Sequence, residues 1–235
     1  MQIDAYRASH ERISEIAVGL TDVQLETVVP AAPKWTVRDL LGHIVAVPGD
    51  LSMWPFGAEV PRIPPPDEYT AGQVERRREQ SMSELMDDWA KAIPVFEERM
   101  AGWGRWNAPI HDLVCHEADM RGALGLPRLP DEAWQASLDD WPSFLIDCGP
   151  MLSWEWGLLK EKDTVAVHVG DRTYTLGTGE PSATVEAPNA YELWRALFGG
   201  RSKSQIADWR WSADPEPYLK TLPFFPAMAE DVTEP

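Results

Sequence analysis

Residues Ile110–Gly125 read IHDLVCHEADMRGALG, and the way this stretch folds decides how the chain is organised. Helical periodicity sets Asp112 and His116 one turn apart on one face, with Asp119 coming round beneath them; His111 and Glu117 point elsewhere. Leu113, His116, Met120 and Leu124 share a face, which predicts a helix from about Pro109 to Leu124. Gly125-Leu126-Pro127 ends it, the glycine as C-cap and the proline forbidding another turn. His43 lies far upstream in another helical segment. Two histidines and a carboxylate on two packed helices can make a divalent-metal site. Spacing alone leaves two plainer readings open. Asp112 and Asp119 can be exposed carboxylates beside a packed His116, or His116 can pair with one aspartate in a core network.

His43 sits on a helix that starts cleanly. Thr36 is a good N-cap, and Asp39 stands three residues on, where a capping box has Glu or Gln. Val37, Leu40, Leu41, Ile44 and Val47 form the apolar stripe, with His43 at its edge and Gly42 permitting close approach. Before it, residues 3 to 20 have helical spacing, Thr21-Asp22 starts a short second piece, and Pro30 and Pro33 predict an extended link. The proline-rich stretch 55 to 68 reads as a connection overhanging one end of a bundle. A single helix kinked at Pro94 is expected from Tyr69 to Met100.

Downstream, Asp131-Glu132 starts a helix expected to stop at Gly149-Pro150. Thr164–Val169 and Arg172–Leu176 alternate on either side of Gly170-Asp171, the pattern of a β-hairpin. Ala183–Ala187 gives another strand, and Asn189 caps a helix closed by Gly199-Gly200. The tail PAMAEDVTEP looks frayed. The organisation is therefore a helical bundle over residues 1–130 and a smaller α+β domain over 131–235.

Composition narrows the function. Acidic residues number 38 against 21 basic ones, a formal charge of -17, which disfavours nucleic acid because phosphate binding needs clustered cations. The tight basic run Arg76-Arg77-Arg78 is flanked by glutamates and reads as a solvated face. No apolar run is long enough for a membrane span, and the amphipathic N-terminus has no signal-peptide core, so the expected compartment is the cytoplasm. Two cysteines make no disulfide framework. Glycine-rich phosphate loops, HExxH, CxxC and GxSxG are all missing from the sequence. Asp119 suits orienting a histidine or a bound water, or acting as a base.

Two motifs add a resemblance. Pro33-Lys34-Trp35-Thr36-Val37-Arg38-Asp39-Leu40-Leu41-Gly42-His43 resembles the P-x-W-T-V-x-D-L-x-x-H of the mycothiol-dependent maleylpyruvate isomerase family, a branch of the DinB-like metalloenzymes. His111–Asp119 is similar to that family's H-E-x-x-x-H-x-x-D, followed by Ala123-Leu124-Gly125. The resemblance implies a DinB-like four-helix bundle with a smaller C-terminal α+β domain. It implies a divalent metal, zinc first, held by His43, Asp112 and His116, with Asp112 one methylene shorter than the family's usual Glu. It also implies a thiol cofactor, mycothiol or similar, bound as thiolate and adding to the activated double bond of a small electrophile to allow rotation. Arg121 and Arg201 are the candidates for meeting a cofactor or substrate carboxylate, with surface ion pairing as their plainer reading. The implied activity is an isomerase or S-transferase. A metal-dependent hydrolase on the same scaffold, or a non-enzymatic binding or stress-response bundle with a vestigial site, are the alternatives. The expected partners are the thiol and a small substrate, without nucleic acid or membrane; monomer and homodimer are both open.

Overall fold

Helix α3 (Val37–Met53) begins where its capping residues dictate. The Asp39 amide donates to Thr36 Oγ1 at 3.2 Å, and the Thr36 amide donates to Asp39 Oδ2 at 3.1 Å. Two otherwise orphaned donors are thereby satisfied. The protein is described here by a computed structural model, covering residues 3–53, 66–103, 108–154, 163–177 and 179–235. Most of the stretch expected to overhang the bundle, up to residue 65, lies outside them.

The N-terminal half holds α1 (Ile3–Val18), α2 (Asp22–Leu25), α3, α4 (Pro66–Glu75), α5 (Met82–Trp103) and α6 (Ala108–Ala123). The four long helices α1, α3, α5 and α6 enclose a core of Tyr6, Ile13, Leu40, Ile44, Leu85, Trp89, Phe96 and Leu113. Trp89 is fully buried, and its indole N–H donates to Tyr6 Oη at 3.0 Å. Removing such a ring costs about 3–5 kcal/mol. Glu117 of α6 is fully buried and held by Arg12 from α1 and by Arg121.

Two expectations change here. The helix expected over 69–100 is two helices, α4 and α5, because Ser81 and Glu84 form a reciprocal cap that starts α5 afresh. The extended link around Pro30 is a small antiparallel hairpin, β1 (Val28–Val29) against β2 (Ala32–Thr36).

The C-terminal half is α+β. Helix α7 (Asp131–Trp154) runs through Gly149-Pro150 instead of stopping there; a proline removes one hydrogen bond and bends a helix without necessarily ending it. Strands β3 (Val165–Val169), β4 (Arg172–Leu176), β5 (Ala183–Glu186) and β6 (Arg210–Trp211) form a sheet in the order β4-β3-β5-β6. The β3–β4 hairpin turns at Gly170, whose φ of 58° is a glycine conformation. Helix α8 (Ala190–Leu197) is capped by Asn189, and α9 (Lys203–Ala207) by Ser202. Leu138, Trp141, Phe144, Val165, Val185, Trp194 and Leu197 form the second core.

Helix α6 belongs to both cores. Ile110, Leu113 and Met120 pack into the bundle, while Val114, Cys115 and Ala118 pack into the α+β core. The tail expected to fray is instead docked. The Met228 amide donates to Arg201 O, Gln205 brackets Val232, and the Glu234 side chain is only 3% exposed. Its acidic and apolar residues find partners on α8 and α9, which local composition did not reveal. No helix among the described residues is long and apolar enough to cross a membrane.

Candidate metal centre

Helix α3 brings His43 against the face of α6 that carries Asp112 and His116. Asp112 bridges the two imidazoles, with Oδ2 at 3.4 Å from His43 Nε2 and Oδ1 at 3.5 Å from His116 Nε2. The rings stand perpendicular with centroids 4.9 Å apart, and the Trp35 indole packs against both. One donor atom from each of the three residues lies within 4.8 Å of the others.

Each imidazole is fixed by a hydrogen bond at its far nitrogen. Gln73 of α4 donates through Nε2 to Asp50 Oδ2 at 2.8 Å, and a carboxylate there only accepts. The Gln73 carbonyl therefore faces His43 Nδ1, also at 2.8 Å, so Nδ1 carries a proton, and the neutral ring presents its Nε2 lone pair to the site. Asp50 is anchored in turn by Tyr69 and Arg76. On the other side, His116 Nδ1 donates to Asp119 Oδ2 at 2.9 Å, and Arg195 of α8 donates to Asp119 Oδ1 at 2.6 Å.

The electrostatics follow from this packing. Burial opposes a charge on Asp112, yet the two imidazoles hold its carboxyl well below the usual range. Burial likewise opposes protonation of His116, but Asp112 and Asp119 outweigh it and push that imidazole up to about 10. Asp119 is held low against its burial by Arg195 and His116. A cluster this rich in carboxylate and imidazole attracts a cation. Its fit to a metal rests on one atom: His43 Nε2 is buried, faces Asp112 and His116, and has no hydrogen-bond partner. A buried polar atom left unpaired is costly unless something else meets it.

The triad opens on a cavity of about 330 Å³ between the two halves of the molecule. Val47, Leu51, Tyr69, Gln73 and Cys115 line it beside the triad; Phe144, Phe198, Gly199, Gly200, Phe225, Pro226 and Met228 line it from the α+β half. Burial pushes the Cys115 thiol up, so it stays protonated.

The comparisons with known proteins bear on this site. Residues 6–108 match the model of the mycothiol maleylpyruvate isomerase N-terminal domain. The match covers the bundle up to the first residue of α6. The matched span contains His43 and Gln73 and ends just before Asp112 and His116. Two solved structures, the mycothiol-dependent maleylpyruvate isomerase and a histidine-to-alanine mutant of it, align with 90% of this chain and 92% of their own. The TM-score is 0.53 for both, at 13% and 12% identity. At that identity the likeness establishes a shared fold across both halves. No curated protein matches the chain.

Of the residues singled out in the sequence, this scaffold brings His43, Asp112, His116 and Asp119 together. Arg121 and Arg201 stand apart. Arg121 binds Glu117 and the Pro127 carbonyl; Arg201 binds Glu192 through two nitrogens and also Glu234. Each guanidinium is already met by carboxylates of its own chain, and neither lines the cavity. Sequence reasoning missed Gln73, Asp50 and Arg195. Asp50 was within reach, since it follows His43 by two helical turns and shares its face. Gln73 and Arg195 come from segments whose placement no local pattern reveals.

Proposed function

We propose that this chain is a divalent-metal- and thiol-dependent isomerase or S-transferase acting on a small electrophile, with mycothiol or a similar thiol as cofactor. The observation that carries the reading is the buried His43 Nε2, which makes no hydrogen bond and faces Asp112 and His116. The domain family and the shared fold with mycothiol-dependent maleylpyruvate isomerase support it.

His43, Asp112 and His116 would hold the ion, and two nitrogens with one carboxylate oxygen suit zinc. The ion would supply Lewis-acid charge that lowers the pKa of a thiol beside it, and the thiol would supply a reversible nucleophile for an activated double bond. The chain's own residues do the rest. Gln73 keeps His43 in the tautomer whose lone pair faces the site. Asp119 holds the proton of His116 on Nδ1, so that Nε2 is the nitrogen an ion would take by displacing its proton; with one oxygen on His116 and the other on Arg195, Asp119 acts as a positioning residue. The apolar walls exclude water, which would otherwise compete as a nucleophile.

Metal analysis of chain purified without chelator tests the site. The expected result is one equivalent of zinc, lost in both His43→Ala and Asp112→Ala. Cobalt-substituted protein then tests the chemistry, because adding mycothiol should change the visible spectrum if sulfur reaches the ion. Stoichiometric metal with a spectrum blind to thiol, and turnover that needs none, would move the assignment to a hydrolase.

A further inference from the structure

Among the described residues, the cavity wall supplied by the α+β half carries no polar side chain. Its described lining is Phe144, Phe198, Gly199, Gly200, Phe225, Pro226 and Met228. Phe198 and Phe225 stack with centroids 5.9 Å apart, and Phe144 tilts against both. The backbone of this wall is equally closed. The amides of Phe198, Gly199, Gly200, Phe225 and Met228 donate to Trp194 O, Ala196 O, Arg195 O, Leu197 O and Arg201 O, respectively.

The opposite wall holds Asp112 and Asp119 beside the triad histidines, with Tyr69, Gln73 and His111. Arg195 of α8 does not line the cavity. It is fully buried beneath Gly200, where a Cβ would fall on its guanidinium, and its charge is met by Asp119 at 2.6 Å and Glu234 at 2.7 Å. A dianionic substrate held at the triad and reaching across to the α+β wall would lay one carboxylate against phenyl rings and closed backbone, where an unpaired charge is strongly disfavoured. A flat apolar body would instead gain ring-on-ring contact there.

We infer that the substrate is an uncharged electrophile with a planar apolar body, such as an aryl-conjugated enone, lying against Phe144, Phe198 and Phe225 with its reactive carbon towards the His43–Asp112–His116 cluster. This rests on the reading that an electrophile occupies the cavity, and it sets this chain apart from relatives named for the dicarboxylate maleylpyruvate.

Binding can be measured apart from chemistry. Calorimetry on zinc-loaded protein without thiol would compare benzylideneacetone, a neutral aryl enone, with maleate. Benzylideneacetone should bind at least about tenfold more tightly. Phe225→Ala should remove most of that preference. Met228→Lys, which places a cation on the wall, should raise maleate affinity instead, giving a gain that a merely unfolded variant cannot show. Maleate binding as tightly as the enone, or more so, overturns the inference, most plainly if Arg195→Met abolishes it. Binding of neither probe overturns it as well. Consumption of a bound enone on adding mycothiol is a separate result: enone that binds but never reacts with thiol counts against the thiol-dependent reading alone.

Discussion

At the scale of single residues, the site depends on which nitrogen of each histidine carries its proton. His43 and His116 were legible in the sequence because helical spacing and two short motifs singled them out. The groups that make them usable ligands were not, since Gln73 and Arg195 are polar residues on unrelated segments and meet the histidines only after packing. Gln73 is the more telling case. Its carbonyl accepts from His43 Nδ1 while its amide is tied to Asp50, so it cannot turn over without losing both bonds. Gln73→Leu keeps the volume and removes the acceptor, leaving His43 free to rotate and to take the other tautomer. Metal affinity should fall about 10–100-fold, the usual cost of losing a partner that orients a ligand. Competition against a chromophoric chelator measures this, and an unchanged affinity would show that packing alone orients His43.

At the scale of elements, several parts with strong local signals agree with the sequence, while the Gly149-Pro150 stop does not. The α6 C-cap closes with Gly125 at φ 63° and the Leu126 amide on Arg121 O, and the β3–β4 hairpin and the Asn189 cap stand where turn chemistry put them. The Ser81–Glu84 break was also written locally, as a capping box masked by the continuing apolar stripe. The Arg201–Glu192–Glu234 cluster was not, because it joins a loop, a helix and the tail. Glu192 gives it a pH signature. Burial raises its pKa, but the hydrogen bond and charge of Arg201 outweigh that and hold it below the usual range. A carboxyl with a depressed folded-state pKa adds stability that is fully present above its unfolded value, near 4.3. That contribution fades as pH falls from there through the folded-state value. Glu192→Gln should therefore cost stability at pH 7 and should flatten the loss of stability with acid in this range. Urea unfolding at pH 7, 5 and 3.5 would show the two curves converging; parallel curves would mean the pair contributes nothing that titrates.

At the scale of the whole molecule, Arg195 joins parts that are far apart in the chain. It rises from α8 in the second core and meets Asp119 on α6 and Glu234 on the tail, with 0%, 7% and 3% of the three side chains exposed. Asp119 holds His116, so the tail, the α+β half and the candidate metal site form one connected set of charges. Gly200 is part of the same device, since only a residue without a Cβ leaves room for the guanidinium beneath the cavity wall. Replacing Arg195 by Met strands two buried carboxylates at once. Truncating one partner of a buried pair costs about 3–5 kcal/mol, so Arg195→Met should lower the unfolding free energy by at least that much. Glu234→Gln is the finer test, because Arg195 retains Asp119 and the side-chain shape is kept. It should cost less stability, and if the connection reaches the site it should also weaken metal binding from a residue that touches no ligand. A Glu234→Gln chain that loses stability but binds metal as before would make the tail a clasp on the α+β half and no more.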